Sequence, residues 1–479
     1  MEKELVERAY EEIKKVLGDK KVRKDPVELY CYSFDASIYK GNPDIVVRTS
    51  SAYEVSEVVK IANKYKIPVV PRGAGTGLTG GACALYGGIV LDLMAMNRIK
   101  EINIDNQYVV VEPGIIYDDL NLELASYGFF FPPAPGSGSA CSVGGMVANN
   151  ASGMRAVKYG TTRNYVLKLE VVMPDGNIIT TGSLSSKSSA GYSLKDLFVG
   201  SEGTLGVITE ITLRIKPLPK HSSALIVSFN NVREAGKAAS EILKTGIVPA
   251  GMEILSEVCI EAVKRVKKIE FPEGKAILFI ETDGDDVCVK NDTEKIIKVC
   301  KENNALFIQH SEDKAEIKRM MAGRKALSPS LFNYDPRLNP VFLAEDIGVP
   351  ISSIPDAIEE IEKIASEEGL VIAVFGHIGD GNLHPRMLID VRDEETWKRA
   401  DRAAREIYKI AKKYGGTIAG EHGVGITRAQ FLKLEHGESL EIMRKIKRAL
   451  DPNNIMNPGL LFDYKETQLD HLRYRETVL

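Results

Sequence analysis

Two glycine-rich segments constrain the fold of this chain more than any other feature. The first, PRGAGTGLTGG, spans residues 71–81, and the second, PPAPGSGSACSVGGMVANNASG, spans residues 132–153. Thirteen of the 22 residues in the second segment are Gly, Ala or Ser. Side chains this small let a backbone approach a large flat ligand closely. The pair of segments therefore favours a fold that lays two backbone loops against a ligand.

The first segment satisfies the G-x-G-x-x-G pattern of a dinucleotide-binding turn through Gly75, Gly77 and Gly80. A Rossmann turn also needs a helix directly after the glycines, so that the pyrophosphate sits on the helix N-terminus. Here GACALYGG follows at 81–88, too short and too glycine-rich for a helix, and a strand comes next. Consecutive backbone N–H groups can bind an anion without a helix. The segment therefore favours a diphosphate-binding loop, and a glycine turn without a ligand stays open.

The distribution of strands and helices predicts an α+β chain with more than one domain. Residues 45–48 and 68–71 form strands on either side of a helix that Ser51 caps, and 167–182 form a hairpin around Pro-Asp-Gly. After residue 217 the patterning predicts an α+β domain with an antiparallel sheet. We place the domains at 1–217, 218–414 and 415–479.

Composition excludes several classes of protein. The net charge of -4 gives no reason to expect nucleic acid as a partner. The charged N-terminus lacks a signal-peptide core, and no apolar run is long enough to predict a transmembrane segment. The six cysteines form no C-x-x-C pair, which argues against an iron–sulfur cluster or a cysteine zinc site. Scattered cysteines without an export signal predict a cytoplasmic location.

Histidines cluster near the carboxyl end, in GHIGDGNLHPR (376–386) and GEHGVG (420–425). If Gly-Asp-Gly-Asn forms a four-residue hairpin loop, His377 faces His384 across the strands, close enough to share a metal. Glu421 adds a carboxylate, which completes a two-histidine, one-carboxylate set with open positions. Separate structural histidines remain the alternative.

Two further stretches, KYGTTRNYVLKLEVVMPDG (158–176) and DLFVGSEGTLGVITEITLRI (196–215), accompany the glycine-rich segments. With them, nearly the whole chain resembles the FAD-linked oxidases of the vanillyl-alcohol oxidase and p-cresol methylhydroxylase type. It is most similar to the branch of glycolate oxidase flavin subunits, D-lactate dehydrogenases and D-2-hydroxyglutarate dehydrogenases. The resemblance implies a two-subdomain FAD-binding domain, an antiparallel-sheet α+β cap domain for the substrate, and a C-terminal segment that returns to the FAD domain.

The resemblance also implies which residues contact FAD. Asn457, in the NPG motif at 457–459, would return to the flavin, although Leu460 follows this motif where many relatives carry Lys. The first histidine of the chain is His221, so neither glycine segment can form a histidyl–flavin bond, and we expect non-covalent FAD. The expected cofactor residues are Pro71, Arg72, Gly73, Gly75, Thr76, Gly77, Leu78, Gly138, Ser142, Gly145, Asn149, Gly153, Glu202, Gly206, Ile208 and Asn457.

For the chemistry, the resemblance implies that His377, His384 and Glu421 hold a divalent metal (Zn, Fe or Mn) and that His422 is the base. Arg324, in MMAGRKALSP, resembles the family's substrate-carboxylate arginine, and Arg386 is a second candidate. The expected reaction is oxidation of a small D-2-hydroxy acid, D-lactate or glycolate, by hydride transfer to flavin N5. Ala344 stands where we expect a lysine in the D-2-hydroxyglutarate branch, which favours the smaller acids.

Other functions remain open. A D-2-hydroxyglutarate dehydrogenase, a flavoenzyme like the ether-lipid synthases and a non-catalytic electron-transfer subunit are the alternatives. Because the chain has no cluster cysteines, we expect it to pass electrons to a separate acceptor, such as an electron-transfer flavoprotein, an iron–sulfur subunit or a quinone-linked partner. A homodimer is compatible with the sequence.

Overall fold

The computed structural model describes residues 3–185 and 187–462, and its contacts divide the chain into two compact units. Unit 1 comprises residues 1–152, 161–218 and 421–479, and unit 2 comprises 153–160 and 219–420. The sequence placed boundaries after 217 and 414, whereas the contacts place them after 218 and 420. Residues 153–160, assigned by sequence to the first domain, lie with unit 2. Residues 463–479 of the predicted last segment lie outside the described residues.

Strands and helices are numbered separately along the chain. The strands are β1 Val22–Arg23, β2 Ile45–Arg48, β3 Val69–Arg72, β4 Ile89–Asp92, β5 Ile99–Asn103, β6 Tyr108–Val111, β7 Phe129–Phe130, β8 Val166–Val172, β9 Ile178–Gly182, β10 Val207–Arg214, β11 Lys216–Pro217, β12 His221–Phe229, β13 Gly251–Ser256, β14 Ala276–Gly284, β15 Phe307–Ser311, β16 Asn339–Val341, β17 Ile347–Gly348, β18 Val371–His377 and β19 Asn382–Ile389. The helices are α1 Lys3–Leu17, α2 Pro26–Cys31, α3 Ala52–Tyr65, α4 Tyr117–Ala125, α5 Val143–Asn149, α6 Ala156–Tyr159, α7 Lys195–Phe198, α8 Val232–Lys244, α9 Glu257–Lys267, α10 Asp286–Glu302, α11 Lys314–Lys325, α12 Leu327–Phe332, α13 Ile354–Glu368, α14 Glu394–Lys413, α15 Gly425–Arg428, α16 Leu432–His436 and α17 Ser439–Leu450.

Unit 1 contains a four-stranded sheet in the order β1-β2-β4-β3 and a five-stranded sheet in the order β5-β6-β10-β8-β9. In the first sheet β4 runs parallel to β2 and β3, and its apolar residues are buried, as is typical of parallel strands. Helix α3 begins where the sequence predicts, since Ser51 accepts a hydrogen bond from the Glu54 N–H at 3.3 Å. The second sheet is antiparallel and contains the predicted hairpin as β8 and β9.

The glycine-rich segment at 71–81 connects β3 to β4. All residues between these two strands are described, and none of them forms a helix. The predicted absence of a Rossmann βαβ turn is therefore confirmed. The chain returns to this region near its end, because the Val69 N–H donates to the Ile455 carbonyl at 2.7 Å and the Asn457 N–H donates to the Val69 carbonyl at 2.9 Å.

Unit 2 is built on one sheet in the order β15-β12-β14-β13-β18-β19-β16, with β17 also pairing with β19. Every pairing in this sheet is antiparallel, as the sequence predicts. Helices α9, α11 and α12 contribute apolar side chains to the core that covers one face of the sheet. Among the described residues, no helix is both long and apolar enough to cross a membrane.

Candidate functional site

The loop after β3 presents a run of backbone donors. Among the described residues, none of the N–H groups from Gly73 to Thr79 donates to a protein acceptor. Carbonyls in the loop are engaged, since Gly75 accepts from the Ala36 N–H at 3.1 Å. The φ angle of Gly75 is +70°, a conformation that side chains rarely adopt. Such an array suits an anion such as a diphosphate, so the loop fits the expected role in FAD binding.

Arg72 lies directly beneath this loop. A Cβ atom on Gly75 would lie 2.3 Å from a terminal nitrogen of Arg72, so a side chain there would displace the guanidinium in addition to adopting a left-handed φ. The Arg72 guanidinium also donates to the Ala82 carbonyl at 3.3 Å. Nearby, Asp35 is buried and accepts from the N–H of Ser37, and burial raises the pKa of its carboxyl above the ordinary value.

The second glycine-rich segment meets the first at Gly73. A Cβ atom on Gly73 would lie 2.1 Å from the Ser142 hydroxyl oxygen, and Ser142 caps helix α5 by accepting from the Gly145 N–H at 3.3 Å. Gly138 packs against the ring of Tyr117, where a Cβ would approach to 2.8 Å. Thus the two segments that sequence analysis singled out lie side by side within unit 1.

The predicted base is anchored between these two segments. The His422 carbonyl lies 3.4 Å from the Asn149 side-chain nitrogen and 3.5 Å from the Thr79 hydroxyl. The His422 Nε2 atom lies 3.4 Å from Oε1 of Glu421, and the other carboxylate oxygen of Glu421 accepts from the Ser152 hydroxyl at 3.1 Å. Unit 1 therefore brings His422 and Glu421 next to residues expected to line the flavin.

Glu202 has a structural role that the sequence did not indicate. Its buried carboxylate accepts from the N–H groups of Val424 and Gly425 at 2.7 and 2.9 Å, which fixes the turn after His422. Burial raises the pKa of Glu202 above its ordinary value. The Asn457 side chain donates to the Glu202 carbonyl at 3.0 Å.

The remaining predicted cofactor residues differ in their surroundings. Gly206 lies where a Cβ would press on Val171 at 2.8 Å, so strand packing alone requires glycine there. Ile208 is buried in β10. Gly153 belongs to unit 2, so the structure does not group it with the other predicted cofactor residues.

In unit 2, the predicted histidine hairpin forms, but its register differs from the prediction. His377 pairs with Asn382, and His384 pairs with Phe375, so the loop is 378–381. The prediction that His377 lies directly opposite His384 is therefore wrong. The observed pairing is shifted by two residues from the predicted one. Side chains two residues apart on a strand share a face, so both histidines still point to the same face of the sheet. Their ring centroids lie 5.1 Å apart.

Both imidazoles are held by their Nδ1 atoms. His377 Nδ1 contacts the buried carboxylate of Glu253, and His384 Nδ1 lies 2.9 Å from the Glu345 carbonyl oxygen. Burial works against the charge of Glu253, but its interactions with His377 and Arg324 outweigh burial and lower the pKa of that carboxyl. Ionised carboxylates and carbonyls only accept, so Nδ1 of each ring donates. In a neutral imidazole with a proton on Nδ1, the basic lone pair is on Nε2, where it can coordinate a metal.

Each predicted substrate arginine is paired with a buried glutamate. Two nitrogens of Arg324 lie 2.8 and 2.7 Å from one oxygen of Glu253. A terminal nitrogen of Arg386 lies 2.9 Å from a Glu345 oxygen, and its guanidinium stacks over Phe342 with 4.3 Å to the ring centroid. Sequence analysis missed both glutamates. An acidic residue inside the otherwise uncharged strand GMEILS was the available signal for Glu253.

Comparison with protein families identifies the class of the molecule. Residues 43–182 match the FAD binding domain, and residues 218–461 match the FAD linked oxidases, C-terminal domain. The glycolate oxidase subunit GlcD of Bacillus subtilis (strain 168) is 39% identical over 434 residues, covering 90% of this chain and 92% of that protein. The D-lactate dehydrogenase of Archaeoglobus fulgidus is 35% identical over 418 residues, covering 87% of this chain and 90% of that protein.

The chain belongs to the FAD-linked oxidases and is a flavin-dependent oxidoreductase. Solved structures support the fold independently. The structure of p-cresol methylhydroxylase matches with a TM-score of 0.80 at 20% identity, covering 95% of this chain and 96% of that one. The 4-ethylphenol oxidase of Gulosibacter chungangensis matches with a TM-score of 0.79 at 22% identity, covering 95% and 97%. The predicted family and fold class are therefore confirmed.

Proposed function

We propose that this chain oxidises a small D-2-hydroxy acid, D-lactate or glycolate, to the 2-oxo acid, using non-covalent FAD and a divalent metal. The observation that carries the proposal is the pair of histidines with ring centroids 5.1 Å apart and both Nδ1 atoms engaged. The names of the relatives, glycolate oxidase subunit and D-lactate dehydrogenase, support the substrate class.

His377, His384 and Glu421 would hold the metal (Zn, Fe or Mn). The connectivity supports Glu421 as the third ligand. Its neighbour Gly420 donates its N–H to the Asp346 carbonyl at 3.1 Å within unit 2, and Asp346 in turn accepts from Asn382 at the end of the histidine hairpin. A divalent metal there would supply Lewis-acid stabilisation of the alkoxide that the substrate forms.

FAD, when bound, would accept the substrate hydride at N5. His422 would remove the hydroxyl proton, and the hydrogen bonds to its carbonyl hold its backbone in place. Arg324 uses two nitrogens on Glu253, and its remaining terminal nitrogen suits the substrate carboxylate, with Arg386 as the second candidate. The reduced flavin would then pass its electrons to a separate acceptor. The relative GlcD is named as a subunit of glycolate oxidase, which supports the existence of a partner protein.

Anaerobic flavin reduction tests this proposal. The FAD-loaded protein is mixed with D- and L-lactate, glycolate and D-2-hydroxyglutarate, and the flavin absorbance is followed. We expect bleaching by D-lactate or glycolate. Chelation or His377→Ala should slow it about a thousandfold, which corresponds to several kcal/mol of transition-state stabilisation. His310→Ala, an exposed histidine on β15, is the matched control. Full activity of His377→Ala would overturn the metal role, and the absence of bleaching by any acid would overturn the substrate class.

A further inference from the structure

A buried glutamate lies next to the histidine hairpin. Glu253 is in β13, a strand whose six residues are all buried, between β14 and β18. The register pairs Ile254 with Gly376, so Glu253 comes opposite His377 on the same face of the sheet. The position of this carboxylate is therefore fixed by the sheet and not by a mobile loop.

The Glu253 carboxylate binds two different functional groups at once. One oxygen contacts His377 Nδ1, and the other accepts from two nitrogens of Arg324 at 2.8 and 2.7 Å. The Glu253 side chain is 1% exposed, and a carboxylate buried so deeply is stable only when its charge is paired. The histidine and the arginine therefore depend on one shared acceptor.

We propose that Glu253 is a positioning residue that orients the metal ligand His377 and the substrate-binding Arg324 together, so that metal binding and substrate binding are coupled through one side chain. This inference rests on the proposed function. A carboxylate on Nδ1–H fixes the ring and increases the basicity of Nε2 toward a metal. The same carboxylate restrains the planar guanidinium of Arg324, which reduces the freedom lost when it binds a second carboxylate.

Glu345 provides an internal comparison. It also links a histidine and an arginine, but through different groups: its carboxylate pairs with Arg386 at 2.9 Å, while its backbone carbonyl accepts from His384 Nδ1. A side-chain change at Glu345 therefore leaves the histidine contact in place. The same change at Glu253 alters the histidine and arginine contacts together.

Metal affinity and substrate kinetics of four variants test the coupling. Zn²⁺ affinity is measured by chelator competition, and the absorption of Co²⁺-loaded protein reports the ligand geometry. We expect Glu253→Gln to weaken Zn²⁺ binding by about 10- to 100-fold, to change the Co²⁺ spectrum, and to raise KM for D-lactate at saturating metal. Glu253→Asp keeps the charge and should recover part of the affinity. Glu345→Gln, which keeps the backbone contact to His384, should weaken Zn²⁺ binding less than Glu253→Gln does.

Glu112→Gln is the matched control, because Glu112 is a buried glutamate in unit 1 that pairs with Arg98 at 2.7 Å. It should change neither metal affinity nor KM. The inference is overturned if Glu253→Gln binds Zn²⁺ as tightly as Glu112→Gln does. If wild type itself binds no metal or is not reduced by any hydroxy acid, the proposed function fails instead.

A measurement on the wild-type protein covers the case in which Glu253 variants do not fold. Ring ¹⁵N chemical shifts of labelled histidine report which nitrogen carries the proton. His377→Gln identifies the signal by its loss. We expect the Nδ1–H form for His377, and the Nε2–H form would overturn the inference.

Discussion

The two units of this protein carry candidate ligand-binding groups of opposite kinds. In unit 1 the loop from Gly73 to Thr79 offers backbone N–H groups, and its glycines leave room beside them. In unit 2 one face of the sheet carries buried ionisable side chains, with His377, His384 and Arg386 each held by a glutamate. The loop of unit 1 depends on glycines, which have no side chain, and the sheet face of unit 2 depends on paired charges.

This difference predicts how each unit fails. A backbone site is damaged by adding an atom, because a Cβ occupies the space that the ligand needs. A buried-charge site is damaged by removing a partner, because the remaining charge stays in a medium of low dielectric constant. The predictions below therefore add atoms in unit 1 and remove charges in unit 2.

The largest effect on stability is expected from Arg386→Met. Methionine keeps much of the volume, but the wholly buried Glu345 carboxylate loses its guanidinium, which costs about 3–5 kcal/mol. Urea unfolding followed by the fluorescence of Trp397 measures it, because this single tryptophan lies in α14 of unit 2.

The double variant Glu345→Gln/Arg386→Met removes both charges and should recover most of the lost free energy of unfolding. If the double variant is no more stable than Arg386→Met, then Arg386 stabilises the fold by packing against Phe342 and not by charge pairing. That result would remove the contrast between the two units.

A smaller effect is expected from adding one methyl group to the unit 1 loop. The Cβ position of Gly77 has only an Asp35 oxygen within 4 Å, at 3.8 Å, so Gly77→Ala should leave the FAD-free protein as stable as wild type or up to about 1 kcal/mol more stable. If the diphosphate lies on this loop, the methyl group should weaken FAD binding about tenfold or more, or about 1.4 kcal/mol. Flavin fluorescence quenching measures the affinity.

Gly136→Ala is the control for this prediction, because Gly136 is exposed and no atom of the described residues lies within 4 Å of its Cβ position. It should bind FAD like wild type. Equal FAD affinity of Gly77→Ala and Gly136→Ala would mean that the diphosphate does not approach Gly77.

The contrast also explains what could be predicted from the sequence. A backbone site requires glycine at particular positions, so residues 71–81 are visible as a pattern without knowledge of their neighbours. The same holds for the hairpin that carries His377 and His384, whose turn residues are local. The predicted register of this hairpin was wrong by two residues, because the loop begins at Ile378. The start of the loop is determined by the pairing of the two strands and not by the turn sequence.

Glu253 could not be assigned a role from sequence because its partners are distant in the chain. Arg324 and His377 follow it by 71 and 124 residues, and only the pairing of β13 with β18 brings Glu253 beside His377. Residues 153–160 were misplaced for a similar reason. Lys158 and Tyr159 bind Asp283 of β14, and the sequence gives no sign of that contact.

The smallest expected effect is a pH dependence in unit 1. Burial works against the charge of Glu112, but hydrogen bonds from Arg98 outweigh it and lower the pKa of the carboxyl. A carboxyl with a lowered folded-state pKa adds stability that is present above its unfolded pKa and is lost as the pH falls through the folded value. The difference in urea midpoint between wild type and Glu112→Gln, followed by far-ultraviolet circular dichroism, should therefore be larger at neutral pH and shrink in acid. A difference that grows as the pH falls would mean that Glu112 is held in its protonated form. The charge of Glu112 would then add no stability to unit 1.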